Sequence, residues 1–327
     1  RQSLTLRHRQ RIDDLALLQY LLHEQHEALL ARCHGRGMEV YGDLQIGIPP
    51  REAWAYKELL LEGYRMGAPP SRTNPEGQPW GYPLLDPAQC GPAGAARAFV
   101  VARATKLFAE YDALRIDHPH GWICPWAYRT DVADALTAVQ GGARLYSSPD
   151  LHHEHPALRP FALVDEDAID RSLPRFHERA LRPLVDAEVQ RYGRLFDRLA
   201  EAAGEPSRLI CEVLSTQPRP LGAVLARHGL GRFRVTQKAN LDDEGDVYRT
   251  ENAEANDWVM VGTHDTETIW ARAEGWAQRG ELAEQAAYLQ RRLRPADGED
   301  APRLAGPGAV AQAKLAELFV CDAENVM

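Results

Sequence analysis

The sequence has no excess of positive charge and no long apolar run. Its 47 aspartates and glutamates outnumber its 38 lysines and arginines, which gives a formal net charge of −9 over 327 residues. Acidic and basic residues are interleaved, which argues against nucleic acid or an anionic membrane as the main partner. Because no stretch of 18 apolar residues and no signal-peptide pattern occurs, we expect a cytoplasmic protein without a membrane span.

Patterned cysteines and the common nucleotide-binding motifs are also missing. The five cysteines are scattered and never spaced as C-x-x-C, which predicts reduced thiols rather than a disulfide framework or a zinc cage. There is no G-x-x-x-x-G-K-[ST], no G-x-G-x-x-G after a predicted strand and no G-x-S-x-G. The sequence therefore gives no support to phosphate-loop, dinucleotide or serine-hydrolase chemistry.

What the sequence contains is an alternation of helical segments with short apolar strands. Residues 11–36 carry apolar side chains at helical spacing, and MEVYGDLQIGI, ALRID, RLICEVL, RFRVTQK and DWVMVGTHD are typical of strands. This order predicts an α/β protein with a parallel sheet. The Gly- and Pro-rich residues 63–92 predict a long functional loop. We interpret residues 1–327 as one domain, with a polar, largely helical insertion at about 130–207.

Four carboxylates follow predicted strands: Asp43, Asp117, Glu212 and Asp265. In a (β/α)8 barrel of the TIM type, the carboxyl ends of the strands form the active-site face. The repeated placement of acids at strand ends therefore predicts such a barrel, with long inserted loops and helices. The alternative is that each acid caps the helix that follows it, which suits aspartate better than glutamate.

Two of these acids have the spacing that glycosidic chemistry requires. Retaining cleavage needs a carboxylate nucleophile and a carboxylic acid roughly 5 Å apart, and neighbouring strands lie about 4.8 Å apart. Asp117 and Glu212 fit if their strands are adjacent, and Asp265 would then contact sugar hydroxyls. Arg115 lies two residues before Asp117, so both side chains point to the same face of a strand, either to orient the aspartate or as a structural ion pair.

Aromatic residues are concentrated next to these motifs. Flat aromatic faces stack on pyranose rings, so such loops suit a carbohydrate cleft, although packing of the loops on the barrel is an equal alternative. The aromatic residues concerned are Trp54, Tyr56, Trp80, Tyr82, Trp122 and Trp126.

Histidines provide a competing interpretation. The segment HEQHE at 23–27 does not have the H-E-x-x-H spacing, and HHEH at 152–155 follows no predicted strand. A metal-dependent hydrolase that uses His118, His120 and His264 remains an open alternative, because these histidines lie at strand ends.

Taken in order, five segments resemble the amylomaltase, or 4-alpha-glucanotransferase (disproportionating enzyme), family. They are VYGDLQIGIPPREAWAYKELL, GAPPSRTNPEGQPWGYPLLDP, LRIDHPHGW, ICEVLS and VGTHDTET. The family typically has GDLPIYV, a PP-x-x-x-S-x-x-GQ-x-WG-x-P loop, RIDHxRG, AEDLG and GTHDNxT in the same order. The resemblance covers about residues 15–270.

The resemblance implies a retaining glucan transfer in which Asp117 is the nucleophile, Glu212 the general acid/base and Asp265 the transition-state stabiliser. It also implies that Arg115 and His264 contact sugar and carboxylate groups, and that no cofactor or metal is needed. The substrates would be maltooligosaccharides or starch-derived chains. We add Asp43, Trp54, Trp80 and His118 as substrate-binding candidates, because they lie in the resembling segments.

The sequence also departs from the family pattern. EDLG has become Glu212-Val213-Leu214-Ser215, HDN has become His264-Asp265-Thr266, and Ser71-Arg72 replace an aspartate and an aromatic residue. Family members are considerably longer, so we expect either a fragment or a barrel that is partly incomplete. A noncatalytic glucan-binding relative is therefore a second hypothesis. Neither the chain length of donor and acceptor nor the oligomeric state follows from the sequence.

Overall fold

The computed structural model describes residues 2–71, 74–146, 155–162, 168–174, 177–214, 216–294 and 303–327. The strands are β1 (Tyr41–Leu44), β2 (Leu60–Ala68), β3 (Gln78–Leu85), β4 (Ala113–Ile116), β5 (Trp126–Arg129), β6 (Ala143–Arg144), β7 (Leu209–Cys211), β8 (Phe233–Val235), β9 (Trp258–Met260) and β10 (Asn325–Val326). The helices are α1 (Gln2–Arg7), α2 (Arg9–His34), α3 (Pro50–Ala53), α4 (Ala95–Phe108), α5 (His120–Ile123), α6 (Ala135–Gln140), α7 (Asp186–Gly193), α8 (Phe196–Ala203), α9 (Arg219–Arg227), α10 (Ile269–Arg279), α11 (Leu282–Arg292) and α12 (Pro307–Glu317).

Two three-stranded parallel sheets carry the candidate site. One has the order β1-β4-β7 and the other the order β8-β9-β10, with strands in chain order in both. The N–H of Phe233 donates to the carbonyl of Val213 at 3.2 Å, which joins the end of β7 to the start of β8. The α/β prediction is confirmed. Within the described ranges these sheets have six strands, and no strand pairs with the outer edge of β1 or β10.

Alternation of side chains along β4 explains how the sheet separates its core from its polar face. Leu114 and Ile116 are fully buried, and α4 covers this side with Val100 and Ala104, which are also fully buried. Arg115 points to the opposite side, because successive residues of a strand face opposite ways. Arg115 thus lies on the face of the sheet opposite to α4.

A four-stranded sheet of order β3-β2-β5-β6 with antiparallel pairing lies beside the parallel strands. The prediction of one long loop over residues 63–92 is wrong, because β2 and β3 form a hairpin there. Its prolines indicated a loop, but β3 is an edge strand, where Pro79 and Pro83 need no ladder hydrogen bond on their outer side. The turn between the strands, at residues 74–77, ends at Gly77 with φ +74°.

Two helical predictions also need correction. The described parts of residues 130–207 contain the short helices α6, α7 and α8 in place of one long helical stretch. The helix predicted over residues 267–293 is two helices, because Gly280 adopts φ +78° and ends α10. The predicted helix at residues 11–36 is present as α2, but none of its residues is buried. Arg72, residues 152–154 and Ser215 lie outside the described residues.

In the described ranges, no helix combines the length and apolar character needed to cross a bilayer.

Candidate active site

Arg115 lies at the centre of the candidate site and contacts three carboxylates. Its Nη1 donates to Asp43 Oδ1 at 2.7 Å, and its Nη2 lies 3.1 Å from Asp117 Oδ1 and 2.9 Å from Glu212 Oε1. The contacts follow from strand order, because β4 carries Arg115 between β1 and β7. The cation offsets the repulsion among these three acids, of which only Glu212 is largely buried.

Backbone hydrogen bonds fix Asp117 and Glu212 just beyond their strands. The N–H of Asp117 donates to the Leu44 carbonyl at 3.0 Å, and the N–H of Glu212 donates to the Ile116 carbonyl at 3.1 Å. The expected adjacency of their strands is confirmed, since β4 pairs with β7. Because both carboxylates contact the same Nη2, the two contacting oxygens lie at most about 6 Å apart, by the two distances of 3.1 and 2.9 Å.

Glu212 has a strongly altered proton affinity. Burial raises the pKa of this carboxyl from 4.5 to about 7, Arg115 opposes that shift, and the charge of Asp117 and a hydrogen bond with it raise the pKa further. Only 10% of the Glu212 side chain is exposed, whereas 36% of the Asp117 side chain is. Two neighbouring carboxyls with different environments are the arrangement from which acid and base roles arise.

The two carboxylates open into a cavity of about 690 Å³ that also receives Asp265. Ile46, Trp80, Tyr82 and Lys238 contribute to its lining. Its size is in the range of small-molecule and oligosaccharide sites. The cavity thus brings together Asp117, Glu212 and Asp265, which lie far apart in the sequence.

A stack of rings forms one wall of this cavity. His118 lies with its ring centroid 4.7 Å from Trp80, edge to face, and 4.2 Å from His120, stacked. His118 adopts φ +47°, a left-handed conformation that few non-glycine residues take. Burial lowers the pKa of His118 well below its usual value and that of His120 to about 3, so both imidazoles are neutral.

Asp265 and His264 occupy a tight turn after β9. The Thr266 hydroxyl donates to the Thr263 carbonyl at 2.8 Å and accepts from the Thr263 N–H at 2.9 Å. His264 Nε2 lies 3.5 Å from Asp265 Oδ2, and both side chains are exposed. Asp265 lines the cavity with Asp117, whereas His264 lines a second cavity of about 610 Å³ between the two parallel sheets.

Three other sequence candidates do not line the cavity that holds Asp117. Arg115 lines the second cavity, although its guanidinium contacts Asp117 and Glu212. Asp43 lines the second cavity and reaches Asp117 and Glu212 only through Arg115. Trp54 is 74% exposed and lines neither of these two cavities.

The histidine alternative receives no geometric support. In the described part of the chain, no group of three or more histidine, cysteine, aspartate or glutamate side chains is positioned to hold a metal ion. His118 and His120 stack on each other, while His264 lines the other cavity.

Lys238 is a site residue that the sequence reasoning missed. It follows β8, so in strand order it lies between Glu212 after β7 and Asp265 after β9, and it lines the same cavity. Burial lowers the pKa of its ammonium, and the charges of Asp265 and Glu212 oppose that shift. The signal was present in the sequence, because Lys238 ends the predicted strand RFRVTQK, much as the acids follow theirs.

Several known proteins are similar to this chain. A chloroplastic/amyloplastic 4-alpha-glucanotransferase of Solanum tuberosum is 26% identical over 274 residues, which are 81% of this chain and 38% of that protein. A 4-alpha-glucanotransferase of Haemophilus influenzae is 32% identical over 130 residues, 38% of this chain and 18% of that protein.

Solved structures share the fold at lower identity. An amylomaltase from Streptococcus agalactiae, in complex with acarbose, superposes with a TM-score of 0.67 at 20% identity and covers 100% of this chain and 56% of its own. An amylomaltase from Corynebacterium glutamicum gives a TM-score of 0.63 at 18% identity, over 95% of this chain and 41% of its own. The chain therefore spans between 18% and 56% of the length of these four relatives.

The family model of glycoside hydrolase 77, described as 4-alpha-glucanotransferase, matches residues 2–322. Because that match covers nearly the whole chain, and the expected resemblance is thereby confirmed, this chain belongs to the 4-alpha-glucanotransferase family.

Proposed function

We propose that this chain transfers α-1,4-glucan segments between maltooligosaccharides or starch-derived chains, by a retaining double displacement. The observation that carries the proposal is the pair Asp117 and Glu212, joined through one nitrogen of Arg115 and unequal in burial. Carboxyl groups of retaining enzymes are roughly 5–5.5 Å apart, whereas those of inverting enzymes are roughly 6.5–9.5 Å apart. The two carboxyls contact the same nitrogen of Arg115 and hydrogen-bond each other, and such a close approach favours the shorter separation of retaining enzymes.

In the first step, a carboxylate oxygen of Asp117 attacks the anomeric carbon of the donor. The bond from that carbon to the leaving oxygen breaks, and protonated Glu212 gives its proton to that oxygen, which becomes the 4-hydroxyl of the released glucan. A pKa of about 7 keeps much of Glu212 protonated near neutral pH, as a general acid requires. The product of this step is a glucosyl ester of Asp117.

In the second step, Glu212 removes the proton from the 4-hydroxyl of an acceptor glucan. The acceptor oxygen attacks the anomeric carbon, the ester bond breaks, and Asp117 regains its carboxylate. Two inversions give net retention, and water in place of the acceptor would give hydrolysis. The Glu212 carboxyl thus alternates between donor and acceptor of one proton.

The remaining residues have binding roles in this proposal. Asp265 lines the same cavity and would hydrogen-bond sugar hydroxyls, which helps to distort the ring toward the transition state. Trp80 supplies a flat aromatic face for a pyranose, with His118 packed against its edge. We further propose that the six parallel strands belong to a (β/α)8 barrel, because Asp117, Glu212, Lys238 and Asp265 follow the carboxyl ends of four of them.

Incubation with maltotriose followed by product separation tests the activity. We expect a ladder of shorter and longer oligomers, including glucose, and at least a 1,000-fold slower reaction for Asp117→Asn and for Glu212→Gln. If the unmodified protein leaves maltotriose unchanged at any concentration, the transferase proposal is wrong. Glucan binding that survives Asp117→Asn without turnover in the unmodified protein would favour the noncatalytic alternative.

Added azide distinguishes the two roles. An acid/base variant, Glu212→Ala, still forms the glucosyl ester from a donor with a good leaving group, so azide should yield the α-glucosyl azide. The nucleophile variant Asp117→Ala should yield the β-glucosyl azide by a single inversion. Exchange of these two products would reverse the assignment.

A further inference from the structure

A surface groove lies next to the catalytic cavity but is separate from it. It has a volume of about 360 Å³, and its lining includes Gly47, Glu52, Tyr56, Phe99 and Arg103. None of these residues lines the cavity that contains Asp117. The groove therefore needs an explanation of its own.

Aromatic side chains form one side of the groove. The rings of Tyr56 and Phe99 lie 4.8 Å apart at 55°, and Tyr56 remains 37% exposed. Trp54 stands between Glu52 and Tyr56 in the chain and is 74% exposed, more than any other large hydrophobic residue in the described ranges except Phe319. Exposed flat rings beside a groove are the surface on which the apolar faces of sugar rings stack.

Arg103 supplies an unused polar group in the same groove. It projects from α4 and is partly buried, and burial lowers the pKa of its guanidinium despite the nearby charge of Glu52. It makes no hydrogen bond or ion pair with any residue that the structure describes. A guanidinium has several N–H donors, and leaving them without acceptors in a partly desolvated place is unfavourable. A ligand rich in hydroxyl oxygens would satisfy them.

The groove and the catalytic cavity share one thin wall. Ile46 lines the cavity, while the next residues in the chain, Gly47 and Ile48, line the groove. The backbone at Gly47 lies so close to Tyr82, another cavity residue, that an added Cβ would come within 2.9 Å of its ring. A ligand in the groove is therefore held beside the catalytic cavity.

We propose that this groove is a second glucan-binding site, which takes a stretch of α-1,4-linked glucose residues from a long chain. Tyr56 and Phe99 would stack on the sugars, and Arg103 and Glu52 would hydrogen-bond their hydroxyls. The proposal rests on the proposed function for the choice of glucan as ligand. Its consequence is a preference for long substrates, because maltotriose is too short to occupy the cavity and the groove together.

Native gel electrophoresis through soluble amylose tests the groove directly. The parent is the Asp117→Asn variant, in which turnover is blocked, and it is compared with the same protein carrying Arg103→Met or Tyr56→Ala. We expect each added substitution to raise the dissociation constant for amylose about tenfold. Trp270→Ala is the matched control for Tyr56→Ala, because Trp270 is also a partly exposed aromatic residue but lies on α10. The control should migrate as the parent does.

Steady-state kinetics of proteins that retain Asp117, and so are active, provide the second readout. Arg103→Met should lower kcat/KM for amylose several times more than kcat/KM for maltotriose. If Arg103→Met fails to fold, as judged by thermal unfolding, Tyr56→Ala still decides the question, because its ring is at the surface. Amylose retardation that is the same in parent, Arg103→Met and Tyr56→Ala proteins would overturn the proposal.

The outcomes also separate this proposal from the proposed function. If gel retardation depends on Arg103 but the protein does not act on maltotriose, glucan binding in the groove is supported and the transferase activity is rejected. Maltotriose transfer with retardation that is independent of Arg103 and Tyr56 would retain the transferase and reject the groove.

Discussion

At the scale of single residues, the proton of Glu212 decides when the proposed chemistry proceeds. Its pKa of about 7 results from burial and from Asp117, opposed by Arg115. In the first step the general acid must be protonated, so activity should fall as pH rises through this value. Residues that change the electrostatic surroundings of Glu212 should therefore change the pH profile before they change the maximal rate.

Lys238 provides a test of this effect. Its positive charge favours the ionised form of Glu212, so Lys238→Met should raise the pKa of Glu212. We expect the falling limb of kcat/KM to move to higher pH by a few tenths of a unit, roughly, because the cavity is open to solvent. Lys238→Arg should keep the limb where it is in the unmodified protein. A shift to lower pH for Lys238→Met would contradict this electrostatic role.

The same raised pKa has a cost in stability. Folding lifts the pKa of Glu212 from 4.5 to about 7, so the folded protein binds more protons than the unfolded chain within this window. Stability should then fall as pH rises from about 4.5 to 7, by about 1–3 kcal/mol from this group. Glu212→Gln has no proton to lose. The free energy of unfolding of Glu212→Gln, measured with urea, should rise relative to that of the unmodified protein between pH 5 and pH 8. A difference between the two proteins that does not change with pH would argue against the shifted pKa.

Much of the site could be predicted at this scale. The rule that functional side chains follow barrel strands identified Asp117, Glu212 and Asp265, and side-chain alternation placed Arg115 on the face of Asp117. The pKa of Glu212 could not be predicted, because it depends on how much of the carboxyl is buried. The absence of Trp54 from the cavity lining could not be predicted either, since sequence proximity to a motif does not determine where a loop points.

At the scale of secondary-structure elements, α2 stands out because it is 26 residues long and yet has no buried residue. Leu15, Leu18 and Leu21 are about half exposed. The contacts that tie the helix to the fold include those of His26 with Tyr111 and the Glu110 carbonyl, and that of His34 with Asp112. Helices in proteins gain most of their stability from packing of one apolar face. The described structure therefore gives α2 little tertiary support.

Paired substitutions measure that support. Leu18→Glu replaces a side chain that is 52% exposed, so it should change the free energy of unfolding by less than about 0.5 kcal/mol. Leu114→Ala, at a fully buried position of β4, should cost about 2–5 kcal/mol. Urea denaturation compares the two. If Leu18→Glu lowers the free energy of unfolding as much as Leu114→Ala does, the apolar face of α2 is packed in solution.

The sequence predicted the parallel elements better than the antiparallel ones. Five of the six parallel strands were recognisable as apolar runs that end in a polar residue, as in ALRID before His118, whereas the two-residue β10 was not predicted. The hairpin of β2 and β3 was missed, because Pro79 and Pro83 indicate a loop unless the strand is known to be at an edge. Edge position is a property of the assembled sheet, so a single sequence does not reveal it.

At the scale of the whole molecule, the site is built from two halves. Asp117 and Glu212 follow strands of the β1-β4-β7 sheet, whereas Lys238 and Asp265 follow strands of the β8-β9-β10 sheet. The first sheet packs with α4 and α8 on one hydrophobic cluster, and β9 packs with α10, α11 and α12 on another. A third buried cluster joins the halves, because Ile210 of β7 packs there with Phe233, Val235 and Met260. The distance between Glu212 and Asp265 therefore depends on how firmly the halves are joined.

Residues 324–327 stabilise the β8-β9-β10 sheet. Strand β10 pairs with β9, and the N–H groups of Glu324 and Met327 donate to the carbonyls of Ala255 and Val259 at 2.9 and 3.0 Å. Deletion of residues 324–327 should cost about 2–3 kcal/mol, at about 1 kcal/mol per lost hydrogen bond. It should also lower kcat, because β9 leads into the turn that carries Asp265.

Thermal unfolding and maltotriose kinetics check this deletion. Val326→Ser is the control, since it keeps the backbone bonds and alters a side chain that is 39% exposed. Full activity and unchanged stability in the shortened protein would show that β10 does not hold the Asp265 turn.

The shared guanidinium of Arg115 has a consequence for how mutational effects combine. Asp43, Asp117 and Glu212 all contact it, so removal of one partner leaves more of its charge for the other two. Free-energy changes at these positions should therefore not add in double-mutant cycles, with coupling energies of about 0.5–3 kcal/mol. Asp43, which lies outside the catalytic cavity, would then change the behaviour of Glu212 without touching it, and the three acids would respond to selection as one unit.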